Sequence, residues 1–181
     1  MRALVVYESM FGNTKAVAHA IAKGLETWAV VDVVEVNAAP TVFGEDVSLL
    51  VVGGPTHAFG LSRESTRRDA ATKTTRPLIS TGDGIREWLS RIAHPAAGIA
   101  AATFDTKINK PRLPGSAAKG AHKRMRWLRF RMAAPPESFF VTDATGPLVE
   151  GELERARSWG ERLGAAWAGP SHPAGLGSSE G

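Results

Sequence analysis

The stretch Leu4-Val5-Val6-Tyr7-Glu8-Ser9-Met10-Phe11-Gly12-Asn13-Thr14 decides how the rest of the chain is read. Its first four residues are apolar or aromatic and suit a strand buried on both faces, the usual state of a parallel sheet. A short loop follows at once. Gly12 permits a tight backbone turn, and Asn13 and Thr14 suit the opening of a helix. Such a loop points N–H groups outward, and a helix N-terminus carries roughly half a positive charge. An anion placed there meets unpaired donors and a favourable dipole. Ser9 and Thr14 add hydroxyl donors. A plain strand-to-helix turn would use the same glycine and capping residues, so the rest of the chain has to decide.

Downstream of the loop, Val17, Ala20, Ile21, Leu25 and Trp28 recur at helical spacing, with Lys15, His19, Lys23 and Glu26 between them. That pattern predicts a helix packed on a sheet. Residues 30–36, VVDVVEV, are strongly β-branched and read as a second strand, with Asp32 and Glu35 easiest to place at a sheet edge. Residues 47–52 form an apolar run suited to a central strand. That run leads into Gly53-Gly54-Pro55-Thr56-His57-Ala58-Phe59-Gly60, a loop at the strand's carboxyl end, where open α/β sheets bind their ligands.

Residues 61–82 are rich in Ser, Thr and Arg with hardly any apolar periodicity, and read as a long loop or insertion. Its Arg63, Arg67 and Arg68 suit an acidic partner, a second phosphate or plain solvation. Asp83-Gly84 opens a helix with Ile85, Trp88, Leu89 and Ile92 on one stripe. Residues 98–103 read as a buried strand, followed by Phe104-Asp105-Thr106-Lys107. Ser116 caps a further helix whose buried stripe is Ala118, Ala121, Met125 and Leu128. Its outer face holds Lys119, Lys123, Arg124 and Arg126, with Trp127 nearby, a pattern that suits nucleic acid or, more simply, a solvated face. A strand over 130–141 is interrupted at Pro135-Pro136, and Leu153, Ala156, Gly160, Leu163 and Trp167 mark a final helix. Residues 169–181 are a Gly, Pro and Ser tail without core-forming side chains, expected to be disordered, which leaves 1–168 as the domain.

Bulk properties narrow the chemistry. A chain of 181 residues with 43% hydrophobic composition fits one domain with a proper core. There is no cysteine, which excludes disulfides, iron–sulfur clusters, thiolate zinc sites and cysteine nucleophiles. Any redox chemistry has to come from an organic cofactor. No run of about eighteen apolar residues and no signal-peptide pattern occurs, so no membrane span is expected and a cytoplasmic location is. The net charge of +4 points toward acidic partners, nucleic acid or anionic surfaces, unless it is only a solvated excess.

Ser9-Met10-Phe11-Gly12-Asn13-Thr14 after an apolar strand resembles the FMN phosphate loop of flavodoxins, in which a Ser or Thr precedes the Gly-Asn-Thr that starts the first helix. Phe11 stands where flavodoxins often carry another hydroxyl residue, and in this respect the loop is more similar to that of the flavodoxin-like quinone reductases. Gly-Pro-Thr followed by Phe-Gly likewise resembles the loop of those families that contacts the isoalloxazine ring. The resemblance implies a doubly wound α/β fold with a five-stranded parallel sheet of order 2-1-3-4-5. It implies FMN as cofactor, with Ser9, Met10, Phe11, Gly12, Asn13 and Thr14 on the phosphate. Pro55, Thr56, His57, Ala58, Phe59 and Gly60 would lie along the ring, and Phe104, Asp105 and Thr106 would form a third ligand loop. His57 is otherwise an exposed loop residue and Phe104 otherwise core. No catalytic acid, base, nucleophile or metal ligand is expected. The implied function is an electron-transfer flavoprotein working between a reductase and an acceptor. Because flavodoxin carriers are acidic and this chain is basic, either its redox partners are acidic or its role differs, and nucleic acid is not expected. An NAD(P)H-dependent quinone or flavin reductase is the alternative enzyme reading. A flavin-free binding or regulatory module is the alternative that is not an enzyme.

Overall fold

The computed structural model describes residues 1–93, 98–111 and 113–169. Beyond Gly169, the expected tail lies outside the described residues. Strand β1 (Arg2–Tyr7) is the centre of the sheet's first half. It is followed by α1 (Asn13–Leu25), β2 (Val30–Glu35), β3 (Val47–Pro55), α2 (Glu64–Ala71), α3 (Ile85–Arg91), β4 (Ala100–Ile108), α4 (Ala117–Trp127), β5 (Arg131–Met132), β6 (Glu137–Val141) and α5 (Glu152–Ala168). The sheet runs β2-β1-β3-β4, with β5 and then β6 both pairing parallel to β4. β5 and β6 are the two halves of one fifth strand, parted around Pro135-Pro136 where the missing N–H groups cannot serve a ladder. The doubly wound order 2-1-3-4-5 is therefore present.

Alternation along the strands builds two cores. Leu4, Val6, Leu50, Val52 and Ala101 face Ile85, Trp88, Leu89, Ala121 and Met125 of α3 and α4. Ala3, Val5, Tyr7, Leu49, Val51, Ala100 and Ala102 face Val17, Ile21, Leu25, Ala156, Trp159 and Leu163 of α1 and α5. Side chains of successive strand residues point to opposite faces, so uninterrupted apolar runs were needed to feed both layers. β2, with its two acids, lies at the sheet edge, where the Asp32 carboxylate pairs with Arg2 at 2.6 Å.

Two expectations need correction. Residues 61–82 are not one long loop, because α2 forms within them. Only Arg67 and Ala70 of α2 are buried, so it shows no apolar stripe in sequence. Its anchor is polar: Arg67 Nη1 donates to Ser62 Oγ at 2.8 Å and pairs with Glu87 at 3.2 Å. Strand β4 also runs through Ile108, so Phe104, Asp105 and Thr106 belong to a strand rather than to a loop. The loop comes after them.

Candidate functional site

A cleft of about 340 Å³ opens at the carboxyl ends of β1, β3 and β4. Its size sits at the low end of the range for small-molecule sites. Ser9, Met10, Phe11, Asn13 and Thr14 line one part of it, Pro55, Thr56, His57, Ala58 and Phe59 another, and Thr106 the floor between. Of the fifteen residues singled out in the sequence, Gly12, Gly60, Phe104 and Asp105 are not among the lining.

The first wall is built by the turn from β1 into α1. Gly12 has φ +103°, a left-handed conformation that an L side chain adopts only with strain, and it precedes the helix without offering a side-chain cap. Ser9 Oγ accepts from the Gly12 amide at 3.1 Å, which leaves the Ser9 hydroxyl proton available. The amides of Met10, Phe11, Asn13, Thr14 and Lys15 donate to no other described residue. Thr14 Oγ1 and Thr106 Oγ1 lie 2.7 Å apart, so one hydrogen of this buried pair is left over. Behind the turn, Ser80 fixes it from both sides: its hydroxyl accepts from the Ser9 amide at 3.0 Å, and its own amide donates to Ser9 O at 2.8 Å. Asn13 Nδ2 donates to Thr145 O at 3.2 Å, tying the turn to the loop after β6.

The second wall is a four-residue hairpin closed by reciprocal amide bonds between His57 and Gly60, at 2.8 and 3.0 Å. Ala58 and Phe59 at its tip have φ +41° and +74°. Two-residue hairpins of type I′ take positive φ at both central positions, and here residues with side chains accept that strain. Gly115 packs so close to Phe59 that an added Cβ would sit 2.0 Å from the Phe59 carbonyl oxygen. Phe59 itself is 60% exposed at the cleft rim. His57 is half-buried, with Nδ1 3.2 Å from Thr66 Oγ1. Burial, then Lys73 and Arg67, push its imidazole down to about 4, so the ring is neutral at neutral pH.

That shift predicts an acid-sensitive component of stability. The unfolded chain takes up the proton near 6.5, ahead of the folded one, so the contribution is complete above that pH and is lost as pH falls toward about 4. With a discount for partial exposure the loss is on the order of 2 kcal/mol. Urea unfolding of the wild type and of His57→Ala at about pH 7 and about pH 4.5 measures it. The variant is expected to lack that part of the decline.

Phe104 and Asp105 work behind the cleft. Phe104 is fully buried, edge-on to Phe139, with its ring filling the space that a Gly53 side chain would need. Of the two readings open for Phe104, the structure places it in the core. Asp105 is also fully buried, and its Oδ2 accepts from Ser116 Oγ at 2.5 Å, Ala118 N at 2.9 Å and Thr56 Oγ1 at 3.1 Å. It thereby caps α4 and holds the cleft residue Thr56.

Sequence reasoning missed the wall supplied by α2, whose Thr66, Asp69 and Ala70 line the cleft together with Lys73 just beyond it. It also missed Glu8. This carboxylate is fully buried next to the turn, accepts from the Ile85 amide at 2.9 Å and from the Ser62 hydroxyl, and lies beside Arg67. Burial raises its pKa despite those donors. An acid directly after an apolar strand was the available signal. Among the expected arginines, Arg67 is buried in this network and Arg68 pairs with Glu64 at 3.6 Å, so neither faces the cleft as a free cation.

Comparison with known proteins agrees with this architecture. The flavodoxin family model matches residues 5–81. No curated protein matches the sequence. Among solved structures, a flavodoxin from the domain Archaea is 18% identical, with 91% of this chain and 96% of that one covered and a TM-score of 0.59. Flavodoxin 1 from Bacillus cereus is 16% identical over 90% of this chain and 97% of its own, with a TM-score of 0.66. The Flv1 flavodiiron core from Synechocystis is 17% identical at a TM-score of 0.59, and while 92% of this chain is covered, it spans only 36% of that one. Likeness at these identities is a likeness of fold. With the family match confined to residues 5–81, the β2-β1-β3-β4-β5 order, the cleft at its strand ends and these structural likenesses show that the chain has the flavodoxin-like fold.

Proposed function

We propose that the protein binds FMN in this cleft and passes electrons between a reductase and an acceptor. The observation that carries the reading is the row of amides at Met10, Phe11, Asn13 and Thr14, cleft-lining residues at a helix start whose N–H groups have no partner among the described residues. A phosphate monoester fits such a cradle, since it needs several converging donors and gains from the helix dipole. Ser9 adds its free hydroxyl proton, and the Thr14–Thr106 pair one more. Pro55, Thr56, His57, Ala58 and Phe59 would flank the ring system, on a hairpin closed by the two amide bonds between His57 and Gly60. His57, being neutral, can exchange a hydrogen bond without adding charge to the cleft. When bound, FMN supplies reversible exchange of one or two electrons. The residues of the chain bind it, orient it and limit water at the ring.

A visible absorption spectrum of the purified protein, followed by fluorescence titration with FMN and with riboflavin, tests the reading. FMN is expected to bind tighter than riboflavin by about a hundredfold, the difference of the phosphate anion. Equal affinities would remove the phosphate from the cradle, and absence of both flavins would remove the cofactor. Steady turnover of NAD(P)H with a quinone would reassign the bound flavin from carrier to reductase.

A further inference from the structure

The chain's positive charge is not spread over its surface. Residues 106–136 contain nine Lys and Arg and no Asp or Glu, while the remainder of the chain has more acids than bases. On the structure this segment begins at the cleft, where Lys107 is a lining residue, and continues through exposed Lys110 to α4. Ala117, Ala118, Ala121 and Met125 bury the inner side of α4, so exposed Lys119, Lys123 and Arg126, at i, i+4 and i+7, run along its outer side. Exposed Arg129 and Arg131 extend the strip.

None of these side chains makes an ion pair among the described residues, although basic residues on the other helices do. Lys23 pairs with Glu26, Arg68 with Glu64, Arg91 with Asp83, Arg155 with Glu152 and Arg157 with Glu161. Like charges three and four apart oppose helix formation, so the α4 stripe is a cost to the folded chain that a complementary surface would relieve. The strip also presents an aromatic anchor. Trp127 is 69% exposed with the Arg124 guanidinium 4.5 Å from its ring centroid. Trp and Arg are the residue types that concentrate binding energy at protein interfaces.

We propose that Lys107, Lys110 and the outer face of α4 form the docking surface for an acidic redox protein, seated with one edge on the cleft margin. The choice of a protein over nucleic acid comes from position. Asp105 ties the start of α4 to Thr56 in the cleft wall, and Lys107 Nζ donates to Gly115 O at 2.8 Å beside Phe59. A partner held by the strip is thereby held next to the cleft, an adjacency that electron transfer uses and phosphate-backbone binding does not. The purpose of the surface rests on the FMN reading; the docking itself does not need flavin.

The test is a calorimetric titration at low salt with an acidic two-iron ferredoxin as probe, and in parallel with a short DNA duplex. The protein is compared with the variant Lys119→Glu/Lys123→Glu/Arg126→Glu and with a charge-matched control, Lys23→Glu/Arg157→Glu/Arg162→Glu, on α1 and α5. Circular dichroism checks that both variants fold. Ferredoxin is expected to bind the wild type and the control, to bind the α4 variant at least about tenfold more weakly, and to weaken as salt is raised. The proposal is overturned by no binding to the wild type, by an equal loss in the control, or by an unchanged α4 variant. Duplex DNA binding tighter than ferredoxin at about 0.15 M salt also overturns it and reassigns the strip to nucleic acid. The titration is run with and without FMN. Protein that takes no FMN but binds ferredoxin through α4 keeps the surface and loses the carrier reading, whereas protein that takes FMN and ignores ferredoxin does the reverse.

Discussion

Phe11→Asp is expected to weaken FMN binding by about a hundredfold. Phe11 lines the cleft, half-buried, in the turn whose amides lack partners, so a carboxylate at this position would project among the donors proposed for the phosphate. Two unit charges at about 4 Å in surroundings of effective dielectric ~20 repel by about 4 kcal/mol. Solvent and salt reduce that to roughly 3 kcal/mol, which is the stated factor. The substitution removes no buried hydrogen bond, unlike a change at Thr14, whose hydroxyl is engaged with Thr106. Phe11→Thr runs the other way. It supplies a hydroxyl donor where flavodoxins often have one, and is expected to tighten FMN several-fold, equivalent to about 1 kcal/mol. Quenching of flavin fluorescence measures both. An Asp variant with wild-type affinity would place the phosphate outside this turn.

Gly160→Ala and Gly24→Ala are each expected to cost about 3 kcal/mol of stability or more, lowering the melting temperature by roughly 6–12 °C. Helices α1 and α5 meet at backbone distance. An added Cβ at Gly160 would lie 2.3 Å from Ile21 O, and one at Gly24 would lie 2.1 Å from Arg157 O. Backbone atoms cannot rotate aside as a flexible side chain would. The helices have to part, which uncovers Ile21, Leu25, Trp159 and Leu163, all now buried. Gly120→Ala in α4 is the control, because its added methyl meets only Leu61 at 3.6 Å, an ordinary contact. That change should be neutral or mildly stabilising through helix propensity. Thermal melts followed by circular dichroism decide the matter, and a Gly160→Ala variant that melts with the wild type would refute the close crossing.

The α/β alternation and the turn at Ser9–Thr14 were legible because each rests on local signals, whereas the sheet order followed from the resemblance that the turn carries. A buried parallel strand has to be apolar on both faces, an amphipathic helix has to repeat every three or four residues, and a left-handed turn asks for glycine. Those constraints act within a few residues of chain, so Leu4–Tyr7, Ile85–Ile92 and Gly12 announce them directly. Helix α2 does not, since its hold on the fold is the Arg67 side chain reaching Ser62 and Glu87, and no periodicity records a polar contact across twenty residues.

The same division runs through the site. Residues 9–14 and 55–60 could be read as cleft loops from their own composition, and the basic segment 106–136 from a plain count of charge. What Phe104 and Asp105 do could not, because strand β4 continues through them and delivers one ring to the space above Gly53 and one carboxylate to the start of α4. The sequence by itself determined most of the strands and helices, the glycine turn between β1 and α1, and that the basic residues are concentrated in one segment. Tertiary structure alone decided that Glu8 is buried with Ser62, that burial beside Lys73 and Arg67 keeps His57 neutral at neutral pH, and that the basic segment starts at the cleft with Lys107 and runs on to α4 without an ion pair among the described residues. The physical reason is one of range: backbone preferences and periodicity are local, whereas burial and charge pairing depend on whichever distant residues the fold brings alongside.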